Sequence, residues 1–444
     1  MTDMNKVLAF DIGTKKISCL AALKSKEETI IFQQFEECDS NGINKGNIVN
    51  SEQFEIQIRE LLNSFKPYLE ENPIILIGNS SKDIRSSMKT TEIFSSDKVK
   101  VISENDLKKS IHFAKNKNLQ SDQKILHVIP LNFNLDGIHG IKHPLGMHSR
   151  KLELVTNNIT TKKNSNEIIL KTFSSIDLKP DAVLANSVSG SYSTITKEEK
   201  DNGVLVLDIG AGTTDISVFF QGTNIYNDVI PVGGNQFSND LSLALDIPFS
   251  EAEKIKIEFG TVTPELLGNP EEISCVNNEG SESHHTKREI GQILKERGQE
   301  LLRLAKLKLD NSSIHKIPIN RLVLSGGGSK LDGMQPLTKY IFQYYVRLGM
   351  PSDTANIPEY LNKPELNPLI GIIKFFFNHN DLIEHDKKKK KSYISKNKIL
   401  GNSTILKINN IGKYQKLINI NKLEKISIPI KKFIKKKTET FNQS

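Results

Sequence analysis

Val204-Leu205-Val206-Leu207-Asp208-Ile209-Gly210-Ala211-Gly212-Thr213-Thr214-Asp215-Ile216-Ser217-Val218-Phe219-Phe220 is the most informative stretch of this chain. Four apolar residues end on an acid, a glycine turn follows at once, and a second apolar run leads away. Short apolar runs bounded by glycine read as buried strands, so the stretch predicts strand, tight turn, strand. The same order occurs near the N-terminus: Val7-Leu8-Ala9-Phe10, then Asp11-Ile12-Gly13-Thr14, then Ile17 and Leu20. In both copies an Asp closes the strand and a Gly stands two positions on. An internal repeat of this kind implies two related α/β halves that face each other.

The chemistry of such turns is specific only when they occur together. Glycine lets backbone N–H groups approach phosphate oxygens closely, and a following Thr adds a hydroxyl donor. An Asp at the strand end can hold Mg²⁺ through water, because a hard cation bound to phosphates keeps several waters. Two facing hairpins would clamp a polyphosphate from both sides. A third glycine run, Gly326-Gly327-Gly328, follows the apolar segment Arg321-Leu322-Val323-Leu324 and precedes a helix expected near Met334. It leaves room for a flat base against bare backbone.

Between the two copies, residues 84–162 have a different texture. Short strand-like runs at 99–102, 125–129 and 152–155 flank one amphipathic stretch at 106–118, with Pro130 and Pro144 as breaks. The segment reads as a small α/β insertion. A helix is expected at 167–174, a short strand at 182–184 and another helix after it. Beyond the second copy, 249–259 reads as the start of a helical insertion, 268–286 as a polar loop, and 288–309 as a long amphipathic helix. The periodicity stops after about His379, and residues 381–425 read as a polar, basic linker with little reason to fold.

The chain has 444 residues, 37% hydrophobic and 25% charged, enough for more than one core. Its three cysteines, Cys19, Cys38 and Cys275, form no C-x-x-C pair, so neither a disulfide framework nor a zinc site is expected and a reducing cytosol is. No apolar run approaches the roughly 18 residues of a spanning helix. The N-terminus runs straight into a strand, and no signal peptide is expected. The net charge of +8 is unevenly spread. Residues 387–444 hold 17 lysines against Glu424 and Glu439, a local +15 that leaves −7 for the rest. An acidic body with a basic tail points to an anionic partner for the tail alone.

Hairpin, connecting helix, second hairpin and late glycine run, in that order, resemble the superfamily of actin, hexokinase and the DnaK-type chaperones. That superfamily has two ribonuclease-H-like halves with ATP in the cleft. The resemblance implies a first phosphate loop of Asp11, Gly13, Thr14 and Lys16, and a second of Asp208, Gly210, Gly212, Thr213 and Thr214. Asp11 and Asp208 would hold Mg²⁺ through water, and Gly326, Gly327 and Gly328 would form the adenosine motif. Gly233 and Gly234 would pass near the terminal phosphate. Glu253 and Lys256 would reach the ribose and base, although the same pair also reads as a solvated helix pair.

Several further stretches are similar to the FtsA family of actin-like bacterial division proteins. They are Leu126-His127-Val128-Ile129-Pro130, Gly140-Ile141-Lys142-His143-Pro144-Leu145-Gly146-Met147, Ser189-Gly190-Ser191-Tyr192-Ser193, Ala252-Glu253-Lys254-Ile255-Lys256 and Asn367-Pro368-Leu369-Ile370-Gly371. The resemblance covers about residues 6–378. It implies actin-like halves built from 1–83 with 163–200 and from 201–231 with 306–380. It also implies an inserted subdomain at 84–162 for self-association and contact with later division proteins, and a second at 232–305 for the FtsZ C-terminal peptide. The implied site of action is the cytoplasmic face of the bacterial inner membrane, at the division site. An actin-like adaptor of pilus or secretion assembly is the alternative. A sugar kinase would need a catalytic Asp, and none can be assigned; a chaperone would need a large β domain after the nucleotide fold.

One departure concerns chemistry. The connecting segment 182–196 contains no Glu, Gln or Asp, and Asn186 and Ser187 stand at its opening. An amide is a poor activator of water, so ATP hydrolysis is expected to be slow or absent and no catalytic residue is assigned. Finally, within 426–444, Pro429 suits a first helical turn. Ile430, Phe433 and Ile434 share one face, against Lys431, Lys432, Lys435, Lys436 and Lys437. That is the pattern of an interfacial membrane helix. A disordered basic tail or a nucleic-acid arm is the other reading of the same lysines, and the apolar stripe favours membrane over nucleic acid.

Overall fold

The computed structural model describes residues 5–116, 120–268, 271–351 and 357–379. The linker at 381–425 and the tail helix at 426–444, with all its proposed membrane contacts, lie outside the described residues.

The apolar run before Asp11 forms the strand Asn5–Ile12, which pairs antiparallel with Lys16–Lys24, Asp11 opposite Ser18. The second copy forms Val204–Ile209 and Thr214–Phe220, with Asp208 opposite Asp215. Each hairpin belongs to a five-stranded sheet. From the outer edge the first sheet runs Ile30–Asp39, Lys16–Lys24, Asn5–Ile12, Ile74–Asn79, Ala182–Ala185. The second runs Thr223–Ile230, Thr214–Phe220, Val204–Ile209, Arg321–Ser325, Tyr345–Leu348. Both sheets have two antiparallel pairings followed by two parallel ones. The repeat read from the two glycine turns is thus a repeat of whole sheets, and the fold is the duplicated, actin-like one.

Central strands covered on both faces carry unbroken apolar runs, and Val7 to Phe10 and Val204 to Leu207 are all buried. Phe10 meets Phe173 of the helix Lys163–Ser175 edge-on at 5.3 Å, and Phe54 of Ser51–Leu62 packs on the same ring. The helix Asn367–His379 is buried along nearly its whole length and joins the first core. It crosses the connecting segment, which forms the short helices Asn186–Ser189 and Ser191–Thr194, at bare backbone: a β-carbon on Gly371 would overlap the carbonyl of Ser189. That contact explains the glycine at 371; at 190 a β-carbon would crowd the Asn186 carbonyl and the backbone of Pro368. The second core gathers the helices Gly234–Leu245, Phe249–Phe259, Lys287–Asp310 and Met334–Phe342. Thr286 and Glu289 form a reciprocal capping box at the start of Lys287–Asp310, each side chain accepting the other residue's backbone N–H.

Three sequence expectations need correction. The short runs expected at 99–102, 125–129 and 152–155 are fragments of long strands, Arg85–Val101, Gln123–Leu135 and His148–Lys162. With Ile138–Ile141 they form a four-stranded antiparallel sheet backed by Glu104–Asn116. Pro130 does not break its strand, because the register shifts between Val155 and Thr156, beside it, absorb it. The polar loop expected at 268–286 contains a hairpin, Glu272–Val276 with Glu282–Thr286, turned at Asn277 to Gly280 and seated by buried Ile273 and Cys275. The glycine pair at 233–234 opens a helix, Gly234–Leu245, that the sequence expectations do not include.

Candidate functional site

The two hairpins meet. Each is closed by the same bond, Gly13 N–H to the Lys16 carbonyl at 3.0 Å and Gly210 N–H to the Thr213 carbonyl at 2.9 Å. A β-carbon on Gly212 would overlap the Thr14 hydroxyl, so the loops face one another at van der Waals distance. Thr14 Oγ1 also accepts the Gly46 N–H at 3.2 Å, and Thr213 Oγ1 donates to the Ser80 carbonyl at 3.4 Å. Thr214 Oγ1 donates to the Val232 carbonyl at 2.8 Å.

Three carboxyls collect at the strand ends. Asn186 Nδ2 donates to Asp11 Oδ1 at 2.6 Å and to Ser80 Oγ at 2.7 Å. Ser325 Oγ donates to Asp208 Oδ2 at 2.8 Å. Burial pushes the Asp11 carboxyl up to about 6, against the Asn186 bond. It pushes Asp208 up to about 7, against the Ser325 bond and with the Asp11 charge adding to the rise. Asp215 is raised further by burial and by the charges of Asp208 and Asp11. Asp215 Oδ1, Asn186 Oδ1 and Ser187 Oγ are buried with no hydrogen-bond partner among the described residues. Crowded acids and unmatched polar atoms are what a bound cation and its phosphates would satisfy.

Gly326 stands at φ +79°, and a β-carbon there would lie 2.5 Å from the Ile209 carbonyl oxygen and 2.6 Å from Asp208 Oδ1. Gly328 is pressed against Ile209, whereas a β-carbon on Gly327 would meet only Glu365 Cβ, at 4.0 Å. Gly233 and Gly234 pack on the second hairpin, with Gly234 N–H bonded to the Gly210 carbonyl at 2.9 Å and Asn235 N–H to that of Ala211 at 2.8 Å. Glu253 and Lys256 are not a solvated pair. Lys256 Nζ is mostly buried, 2.6 Å from Glu253 Oε2, 2.8 Å from Ser238 Oγ and 2.9 Å from the Gly234 carbonyl.

Lys16 is not among the groups brought together here. It begins the outgoing strand and turns to Glu37, 2.7 Å away. Its neighbour Lys15, which the sequence reading passed over, reaches Glu253 Oε1 at 2.6 Å. Asp215, Ser325, Ser80 and Ser238 were also missed as site residues. Asp215 alone had a visible signal, an acid just after the glycine turn.

Duplicated sheets whose facing glycine hairpins enclose a small acidic cleft define an actin-like protein. The solved structure of the PilM-PilN type IV pilus biogenesis complex shares this fold, with a TM-score of 0.57 and 15% identity over 82% of this chain and 97% of that one. Sequence comparison is more particular. The family model for "Cell division protein FtsA" matches residues 205–371, and that for the "SHS2 domain inserted in FTSA" matches 81–160. The cell division protein FtsA of Borreliella burgdorferi is 28% identical over 381 residues, 84% of this chain and 91% of its own length. That of Escherichia coli K12 is 25% identical over 383 residues, with the same coverage. The chain belongs to the FtsA family of cell division proteins. The inserted-domain match at 81–160 overlaps the stretch 84–162.

Proposed function

We propose that the chain holds ATP and Mg²⁺ between its two hairpins, assembles on the cytoplasmic face of the inner membrane and tethers FtsZ filaments at the division site. The observation that carries the nucleotide reading is the apposition of Thr14 to Gly212 beside three raised carboxyls. Asp11 and Asp208 would hold Mg²⁺ through water. The metal would offset the phosphate charge, and the backbone of Gly13, Gly210 and Gly212 with the hydroxyls of Thr14 and Thr213 would line the phosphates. Gly327 is the member of its run with room for a base.

Asn186 occupies the opening of the connecting segment and already gives its amide hydrogens to Asp11 and Ser80. With no base there to activate water, nucleotide serves as a structural and polymerisation ligand rather than a substrate turned over quickly. The inserted domain at 84–162 serves self-association and contact with later division proteins, and 232–305 receives the FtsZ C-terminal peptide. The tail residues Ile430, Phe433 and Ile434, with the lysines from Lys431 to Lys437, bind an anionic membrane surface. Each lysine near such a surface contributes about 1 kcal/mol, so one tail binds reversibly and a row of tails on a filament binds firmly.

The test is sedimentation of the full chain with FtsZ and anionic vesicles, with and without ATP. Wild type should pellet with both, and Phe433→Glu should stay in the supernatant while still binding ATP. A wild-type protein that binds no adenine nucleotide and remains free of vesicles overturns the reading.

A further inference from the structure

The Lys15–Glu253 pair runs from the first hairpin to the helix Phe249–Phe259 of the other half of the molecule. Its two ends are held differently. Glu253 is 19% exposed, and its other oxygen is bonded by Lys256 and by Ser238, which fix it to the second half. Burial alone would push its carboxyl up, but the bonds from Lys15, Lys256 and Ser238 bring it down to about 2, so it is a charged, anchored acceptor at any working pH. Lys15 is 46% exposed and Nζ–Oε1 is its one ion pair among the described residues. Its stem is the movable end. It also follows Gly13 and Thr14 directly, so the pair spans the cleft at the place where the hairpins converge.

We propose that Lys15 and Glu253 form a strap across the nucleotide cleft that sets the rate of nucleotide exchange, with Lys15 as a positioning residue. This rests on the nucleotide reading given above. A ligand enters or leaves only when the strap opens, and the strap re-forms behind it. Removing it therefore speeds entry and exit together and leaves the equilibrium nearly unchanged. A half-exposed ion pair is screened by salt, so salt should mimic its removal.

The experiment follows uptake and release of a fluorescently labelled ATP by the full-length chain in stopped flow, at about 50 and about 500 mM salt. Lys15→Ala should release nucleotide about threefold to fivefold faster and take it up faster by a similar factor, with an equilibrium affinity within about twofold of wild type. High salt should speed release from wild type but not from Lys15→Ala, and Lys15→Arg should restore slow, salt-sensitive release. Wild-type release from Lys15→Ala overturns the strap. So does a loss of affinity with unchanged uptake, which would make Lys15 an ordinary phosphate ligand. If wild type takes up no nucleotide, the nucleotide reading itself fails; uptake with salt-insensitive release sinks the strap alone.

Discussion

Gly212 faces Thr14 so closely that any side chain at position 212 would collide with the threonine hydroxyl. Two segments nearly two hundred residues apart are thus fitted to each other's backbone. Gly212 is not in the left-handed region, so the requirement at this position is one of space and not of backbone conformation.

Gly212→Ala should therefore force the hairpins apart. Overpacking of this kind costs about 1–3 kcal/mol, measurable as a lower urea midpoint. Nucleotide affinity, read by calorimetry, should fall by more than about tenfold, a loss of roughly 1.4 kcal/mol of binding. Gly268→Ala, at a position with nothing within 4 Å among the described residues, is the control and should change neither.

The raised acids make stability depend on pH. Asp11 and Asp208 titrate at about 6 and about 7 in the folded chain against an ordinary 3.8. Between about pH 4 and pH 7 the folded state therefore binds more protons than the unfolded state. Nucleotide-free protein should lose stability as the pH rises through that window and past it, because Asp215 is raised as well. Thermal unfolding between pH 5.5 and pH 8 measures it, and saturating Mg²⁺ with ATP should flatten the curve.

Asn186→Ala removes the bond that holds the Asp11 carboxyl down. A hydrogen bond to a charged group is worth about 1.5–3 kcal/mol, equivalent to about one to two pKa units. The pH at which Mg²⁺-dependent nucleotide binding is half-maximal should rise by about one unit. An unchanged midpoint would show that Asp11 does not titrate in the binding step.

Arg347 ties the connecting segment to the edge of the second sheet. Its Nε and Nη2 each lie 2.6 Å from an oxygen of Glu199, and Nη2 also donates to the Thr194 carbonyl at 2.7 Å. The pair is mostly but not wholly covered. Arg347→Ala should cost about 1–3 kcal/mol in urea unfolding, less than for a fully buried pair because solvent screens part of the loss.

Both hairpins were legible in the sequence because their strands are buried on both faces, which writes an unbroken apolar run that ends at an acid. The strand Arg85–Val101 was not, since most of its residues are exposed and its composition is that of a loop. The hairpin Glu272–Val276 with Glu282–Thr286 was hidden for the same reason, although Asn277-Asn278-Glu279-Gly280 was a fair turn signal. Lys15 and Lys16 differ in direction, toward Glu253 and toward Glu37. Neighbouring side chains around a hairpin point to opposite sides, so one position separates a residue facing the cleft from one lying along the sheet. The bonds of Asn186 to Asp11 and of Ser325 to Asp208 join distant segments, and no local pattern announces them.

The pairing of Asp208 with Asp215, where the first copy pairs Asp11 with Ser18, breaks the likeness of the two halves at one spot. One wall of the cleft bears a second acid and the opposite wall bears Lys15, whereas Lys16 turns away to Glu37. The enclosed space therefore has an electrical polarity. A ligand whose two ends differ in charge would be admitted in a single orientation, and every copy of the chain would hold it with the same end leading.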